Sequence, residues 1–218
     1  MATNENVDRA FRNMVTIRDS TKSSQEIREH YNTWSKTFEK EAALLGWNAP
    51  KYTAKCLSDL LPERNAYVLD CAAGTGLVGL ELKHLGYRNI DAVDLSDDSL
   101  QKAELKGCYR QLICAKLNEH PIMTIKPDTY DGIVCCGAFI DGHLNDKCLI
   151  EWSRILKPNG IICICLNTKF ISQLEGPVLD RLLKDNILEQ VQKIIVSNYV
   201  QEEDGYVVSF RLLKNQPQ

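Results

Sequence analysis

Residues 66–79 read Ala-Tyr-Val-Leu-Asp-Cys-Ala-Ala-Gly-Thr-Gly-Leu-Val-Gly. Val68 and Leu69 mark a short apolar strand. Asp70 stands at its tip, ahead of a turn whose Gly74, Gly76 and Gly79 satisfy G-x-G-x-x-G literally. Glycines let a ligand come up against the backbone, and this pattern opens nucleotide sites of several kinds. The carboxylate narrows the choice. A dinucleotide pyrophosphate is doubly anionic and seeks helix N-terminal amides with no negative neighbour, whereas a ligand with a cationic head gains from Asp70.

Downstream, Ile90-Asp91-Ala92-Val93-Asp94-Leu95 reads as a second strand ending in an acid, and Asp94 can accept both hydroxyls of a ribose. Between the strands, Leu77, Val78, Leu80, Leu82 and Leu85 fit a helix that ends at Gly86. Strand, glycine turn, helix, strand and acid make the first half of a nucleotide-binding β-α-β unit. S-adenosylmethionine, with an ammonium and a sulfonium on its methionine moiety, suits Asp70. An NAD-dependent oxidoreductase is the competing reading, and there Asp70 would oppose the phosphates.

The rest of the chain extends the pattern. Val7, Ala10, Phe11, Met14 and Val15 recur at helical spacing and predict a short docking helix. A polar joint at 20–24 leads into one helix over 26–45 closed by Gly46, and Pro50 starts another over 51–61. Ser96-Asp97-Asp98-Ser99 caps a helix running to Gly107, and 109–114 is a third strand. The continuous apolar runs 131–136 and 160–166 suit strands buried on both faces, with a covering helix through Leu149, Trp152 and Ile155 between them. A helix over 178–188 precedes two β-rich runs, 191–200 and 206–213, and Asp204-Gly205 between them signals a hairpin.

A chain of 218 residues suits one domain, and a net charge of -3 without blocks of like charge lacks the footprint of a nucleic-acid binder. Nine cysteines, four of them (Cys135, Cys136, Cys163, Cys165) inside apolar strands and none in a C-x-x-C pair, predict buried reduced thiols in a cytoplasmic protein and no metal site. No run of 18 apolar residues predicts membrane insertion.

Three motifs carry a family resemblance. Val68 through Gly76 is similar to the first motif of class I S-adenosylmethionine-dependent methyltransferases, and Tyr130-Asp131-Gly132-Ile133-Val134-Cys135-Cys136-Gly137 resembles their fourth strand. Arg154-Ile155-Leu156-Lys157-Pro158-Asn159-Gly160 resembles the turn before their fifth, with Asn159 in place of a glycine. His30-Tyr31-Asn32-Thr33-Trp34, Ala49-Pro50 and Gly107-Cys108-Tyr109-Arg110 resemble the Williams-Beuren syndrome region methyltransferase-like proteins.

The resemblance implies an α/β fold: a Rossmann-like, seven-stranded, mostly parallel sheet with helices on both faces, a C-terminal antiparallel hairpin and an N-terminal helical lid. Residues 1–48 would be the extension and lid, and 49–218 the methyltransferase domain. The implied cofactor is S-adenosylmethionine. Ala72, Gly74 and Gly76 would bring backbone against it, and Asp70 would act on its ammonium through solvent or amides. Asp94 would hold the ribose, Leu95 would lie on the adenine, and residues 115–117, Lys116 and Leu117 among them, would cap the adenine edge. Cys136 and Gly137 would floor the pocket.

Tyr31, Trp34 and Phe38 form one stripe that either packs a helix or roofs the ligand. His143, in the loop after the fourth strand, and Tyr31 are the catalytic candidates; His30, His84 and His120 read as surface or loop residues. The expected methyl acceptor is a small molecule or, as the second choice, a protein side chain, with no membrane or nucleic-acid partner and the oligomeric state open. A non-catalytic module that only binds the cofactor is the other alternative.

Overall fold

The structure, a computed structural model, describes residues 4–214. Helices α1 (Asn4–Thr16), α2 (Ser24–Trp34), α3 (Phe38–Leu44) and α4 (Ala49–Leu60) precede the sheet. Then come β1 (Tyr67–Cys71), α5 (Leu77–His84), β2 (Asn89–Asp94), α6 (Asp97–Glu104), β3 (Gln111–Cys114), β4 (Tyr130–Cys136), α7 (Cys148–Ile155) and β5 (Leu156–Asn167). A 3-10 turn, α8 (Ile171–Leu174) and α9 (Pro177–Lys184) lead to β6 (Leu188–Val200) and β7 (Glu203–Leu212). The seven strands lie in the order β3-β2-β1-β4-β5-β7-β6, parallel except β7, which runs antiparallel to β5 and β6. The order reverses between β1 and β4, where open α/β sheets bind ligands at the carboxyl ends of their strands.

Strand residues alternate between two cores. Leu69, Cys71, Ile133 and Cys135 join Trp152 and Leu149 of α7 on one face, and Val68, Val134 and Cys163 join Leu57 of α4 and Leu82 of α5 on the other. Covering both faces excludes water from the sheet and explains the continuous apolar runs. Cys135, Cys136, Cys163 and Cys165 are buried and free. Asn159 adopts φ +65°, a left-handed conformation that asparagine tolerates and that a glycine would also supply.

Four expectations need correction. The helix over 26–45 is broken at 35–37, where Ser35 Oγ donates to the carbonyl of Asn32 at 2.9 Å and Thr37 Oγ1 to that of Trp34 at 3.5 Å, side chains competing with the helical ladder. The hairpin turn is Gln201-Glu202 rather than Asp-Gly, since Val200 pairs with Glu203; Gly205 lies within β7, where a Cβ would strike the Tyr199 ring. The helix over 178–188 stops at Lys184, and Leu188 already begins β6. In α1, Val7, Ala10 and Met14 face the core, but Phe11 and Val15 are 36% and 40% exposed.

The three N-terminal helices meet at Glu41. Its buried carboxylate accepts from Asn13 Nδ2 at 3.1 and 3.0 Å and from the Trp34 indole at 2.7 Å. Burial alone would raise this carboxyl, and those hydrogen bonds outweigh it and hold it below its ordinary range. The same helices are tied to the sheet domain by the Arg28–Asp97 and Lys106–Glu39 ion pairs and by Ser96 Oγ donating to Asn32 Oδ1 at 2.6 Å. Gln201 N also donates to the Leu45 carbonyl at 2.9 Å. At the far side, β6 is an outer strand, bulged at Gln190/Gln192 and Val196/Val200 and largely exposed.

Candidate functional site

A cavity of about 340 Å³ runs along the carboxyl ends of the strands under the N-terminal helices. Ala72, Ala73 and Gly74 follow β1, Asp94 and Leu95 close β2, and Ala115, Lys116 and Leu117 follow β3. Cys136, Gly137, Ala138 and His143 come from the end of β4 and the loop after it, and Asn167 closes β5. Tyr31, Trp34, Phe38 and Trp47 line it from the N-terminal segment.

Asp94 has a double role in this wall. Its Oδ2 accepts from Gly74 N and its Oδ1 from Ser96 N, both at 2.8 Å, so one carboxylate ties the glycine turn to the end of β2. Ser96 then caps α6 by accepting from Ser99 N. Burial pushes the Asp94 carboxyl up, and these backbone amides restrain the rise.

Asp70 and Gly76 lie outside the cavity wall. Asp70 is 1% exposed, and its Oδ2 accepts from the Tyr109 hydroxyl at 2.6 Å. Tyr109 also accounts for two of the glycines: a Cβ on Gly76 would come within 2.9 Å of its ring, and one on Gly79 would strike its hydroxyl. Gly74 is different, with φ +53° and nothing within 4 Å of its Cβ position. Only this glycine opens toward a ligand.

Burial, against the restraining Tyr109 hydrogen bond, raises the Asp70 carboxyl to about 7. Its Oδ1 is buried without a hydrogen-bond partner. An orphaned carboxylate oxygen behind the open Gly74 turn, with Asp94 beside it and Leu95, Ala115 and Leu117 as apolar wall, fits a nucleoside with a cationic head.

On the β4 side, Gly137 adopts φ +73°, and a Cβ there would come within 2.9 Å of Trp47. The aromatic stripe is a wall: the Trp34–Phe38 and Phe38–Trp47 rings meet edge-on with centroids 4.9 and 5.6 Å apart. Tyr31 Oη lies 3.1 Å from His143 Nε2, and His143 Nδ1 lies 3.1 Å from the Asp141 carbonyl. A carbonyl only accepts, so Nδ1 carries the proton and Nε2 accepts from Tyr31. Burial lowers the His143 imidazole below its ordinary value and raises the Tyr31 phenol, keeping both neutral.

Of the predicted residues, Ala72, Gly74, Asp94, Leu95, Lys116, Leu117, Cys136, Gly137, Tyr31, Trp34 and His143 meet in one cavity. His30, read as a surface residue, instead packs edge-on against Tyr31 and Trp34 with its Nε2 buried. Arg18, Lys22, Trp47, Asn167 and Tyr199 also line the cavity and were not anticipated. The sole signal for Trp47 was its place beside Gly46, and nothing local marked the others.

Residues 68–160 match the family model described as a methyltransferase domain. Human methyltransferase-like protein 27 is 31% identical over 159 residues, spanning 70% of this chain and 64% of that protein. Human N-terminal Xaa-Pro-Lys N-methyltransferase 1 is 35% identical over 142 residues, 59% of each chain. The chain therefore spans less than two thirds of the length of these curated relatives. The Burkholderia thailandensis 1,6-didemethyltoxoflavin-N1-methyltransferase, solved with its substrate and S-adenosylhomocysteine, superposes with a TM-score of 0.64 at 17% identity, covering 98% of this chain and 92% of that one. At that identity the likeness speaks to the fold alone. By motif order and matched segment, residues 68–160 of this chain are similar to the methyltransferase-domain family, and the strand order is that of the class I S-adenosylmethionine-dependent fold.

Proposed function

We propose that the chain transfers the methyl group of S-adenosylmethionine to a small-molecule acceptor bound in the same cavity. The observation that carries this reading is one continuous cavity whose wall holds a strand-end carboxylate, Asp94, together with the aromatic rings of Tyr31, Trp34, Phe38 and Trp47. S-adenosylmethionine supplies a methyl on a cationic sulfur, already activated for displacement. The protein's task is placement, which can contribute about 7–11 kcal/mol to such a reaction.

Asp94 would hold the ribose hydroxyls, Leu95 and residues 115–117 the adenine, and the Ala72–Gly74 backbone the methionine end. Asp70, behind the turn, would favour the ammonium by its charge rather than by contact. Cys136 and Gly137 floor the space beyond, where Tyr31 faces the acceptor and His143 Nε2 can take a proton passed through the Tyr31 hydroxyl. Residues 1–48 would act as the lid over residues 49–218. The described N-terminal helices bury Tyr31, Trp34 and Phe38 against the cavity, and opening them is the way in.

The relatives named for Xaa-Pro-Lys termini act on a cationic peptide. Here the charged side chains beyond the cofactor end are Arg18 and Lys22, with no carboxylate among the described wall residues there, which supports a small molecule instead. Among the described residues no helix is long and apolar enough to cross a membrane. The buried thiols suit a reducing, cytoplasmic setting.

The test is calorimetry with S-adenosylhomocysteine and NAD, followed by incorporation of a labelled methyl group into fractionated metabolites. Binding of the first but not the second, with label in a small molecule, supports the reading. Binding without turnover leaves a cofactor-binding module, and stabilisation by NAD alone defeats it.

A further inference from the structure

Among the described residues Arg18 has no ion-pair partner, and Glu203 is the carboxylate that feels its charge. Its Nε is buried without a hydrogen-bond partner, and no carboxylate lies within ion-pairing distance of it among the described residues. Its guanidinium sits over the Phe170 ring, 5.0 Å from the centroid. The nearest candidate partner, Glu203, is already taken by Lys169 and by Asn167 Nδ2, the latter at 2.6 Å. Burying a guanidinium donor unpaired is costly, so a wall that keeps one is built for something that arrives.

Its position says which ligand. Asn167 ends β5 and Phe170 follows it, whereas the proposed cofactor end of the cavity is made by β1, β2 and β3, and β4 lies between. Arg18 therefore stands on the acceptor side. Lys22 lines the same cavity, and the one carboxylate among the described wall residues, Asp94, already accepts from two backbone amides at the end of β2. The acceptor side thus has a positive potential beside a row of ring faces and edges, Trp34, Phe38 and Trp47.

We infer that the methyl acceptor is a planar aromatic molecule bearing an anionic group, its body held along the Trp34–Phe38–Trp47 wall and its anion on Arg18. A guanidinium offers a carboxylate two parallel N–H donors, which fixes orientation as well as adding attraction. Neutral analogues of the same shape leave the Arg18 donors unpaired and are discriminated against. This inference rests on the methyltransferase reading of the cavity and adds the chemical class of its acceptor.

The experiment is calorimetric titration of the full chain, saturated with S-adenosylhomocysteine, with salicylate and 1-hydroxy-2-naphthoate and with the amides of both. The carboxylates should bind about tenfold or more tightly than their amides. Arg18→Gln should erase that preference while leaving S-adenosylhomocysteine affinity within about twofold, and Arg18→Lys should keep part of it. Equal binding of acids and amides to the unmodified chain overturns the inference. So does an Arg18→Gln variant that loses S-adenosylhomocysteine instead, which would make Arg18 a ligand of the cofactor's own carboxylate. Failure of S-adenosylhomocysteine to bind the unmodified chain at all would strike the methyltransferase reading itself.

Discussion

Asp94 joins the glycine turn to the second strand and faces the cavity, so its removal acts on binding and on local order together. Asp94→Ala should weaken S-adenosylhomocysteine about tenfold or more, since hydrogen bonds to a charged acceptor contribute about 1.5–3 kcal/mol each, and should lower Tm modestly; calorimetry and a melting curve read both. Unchanged affinity in a folded variant would remove Asp94 from the ribose. Asp70 titrates oppositely to a salt-bridged acid. With its folded value raised to about 7 from an ordinary 3.8, its stabilising contribution is present below the unfolded value and is lost as pH rises through 7. Asp70→Asn should therefore gain stability relative to the unmodified chain between pH 5 and pH 8, by an amount of the order of 3 kcal/mol, read by denaturant titration at both pH values. A constant difference across that window would refute the raised value. Lys116 stands in the cavity wall, and on the proposed reading an acid there would accept from the adenine amine, so Lys116→Asp should tighten S-adenosylhomocysteine by about 0.5–1.5 kcal/mol; tenfold weaker binding would make Lys116 itself a ligand. These residues were legible because strand ends and glycines announce themselves in order along the chain. Tyr109 was not: it reaches back from the loop just before the third strand to fill the space over Gly76 and Gly79, so two of the glycines in the pattern answer to packing.

Among the elements, the N-terminal helices roof the cavity, and on the proposed reading their opening admits the ligand. Their apolar stripe is narrow, yet Glu41 gathers donors from α1 and α2 at the start of the next helix, and Arg28, Asn32 and Glu39 anchor the group to α6 and the turn after it. Hydrogen exchange through residues 4–44 should slow when S-adenosylhomocysteine is added, and Glu41→Ala should raise the exchange of the free protein there while sparing β1 and β4. Equal protection with and without ligand would assign Tyr31, Trp34 and Phe38 to packing alone. The break at 35–37 was hidden because hydrophobic periodicity continues through it. What ends α2 is local competition by Ser35 and Thr37 for backbone carbonyls, together with an indole that reaches Glu41 only if the chain turns. The displaced hairpin turn has a similar origin, since Asp-Gly is a strong local signal and Gly205 was needed instead beneath the Tyr199 ring.

At the scale of the molecule, the parallel sheet was readable from apolar runs and short connections, while the composition of the cavity was not. Arg18, Trp47 and Tyr199 come from segments far apart in the chain and meet only after the sheet has closed with its antiparallel pair. That pair leaves β6 as a long outer strand carrying Ile194 and Ile195, 46% and 63% exposed. An outer strand with exposed apolar residues is a template for sticking molecules together edge to edge, and the two bulges with Lys193 interrupt it. Lys193→Val would turn residues 193–196 into an unbroken β-branched run. Light scattering of a concentrated, gently warmed solution should then grow faster than for the unmodified chain, with a melting temperature that barely moves. Identical scattering would mean that the bulges alone suffice. The irregularities of β6, one of which also carries Tyr199 and Val200 into the cavity wall, are in this sense what holds neighbouring molecules apart.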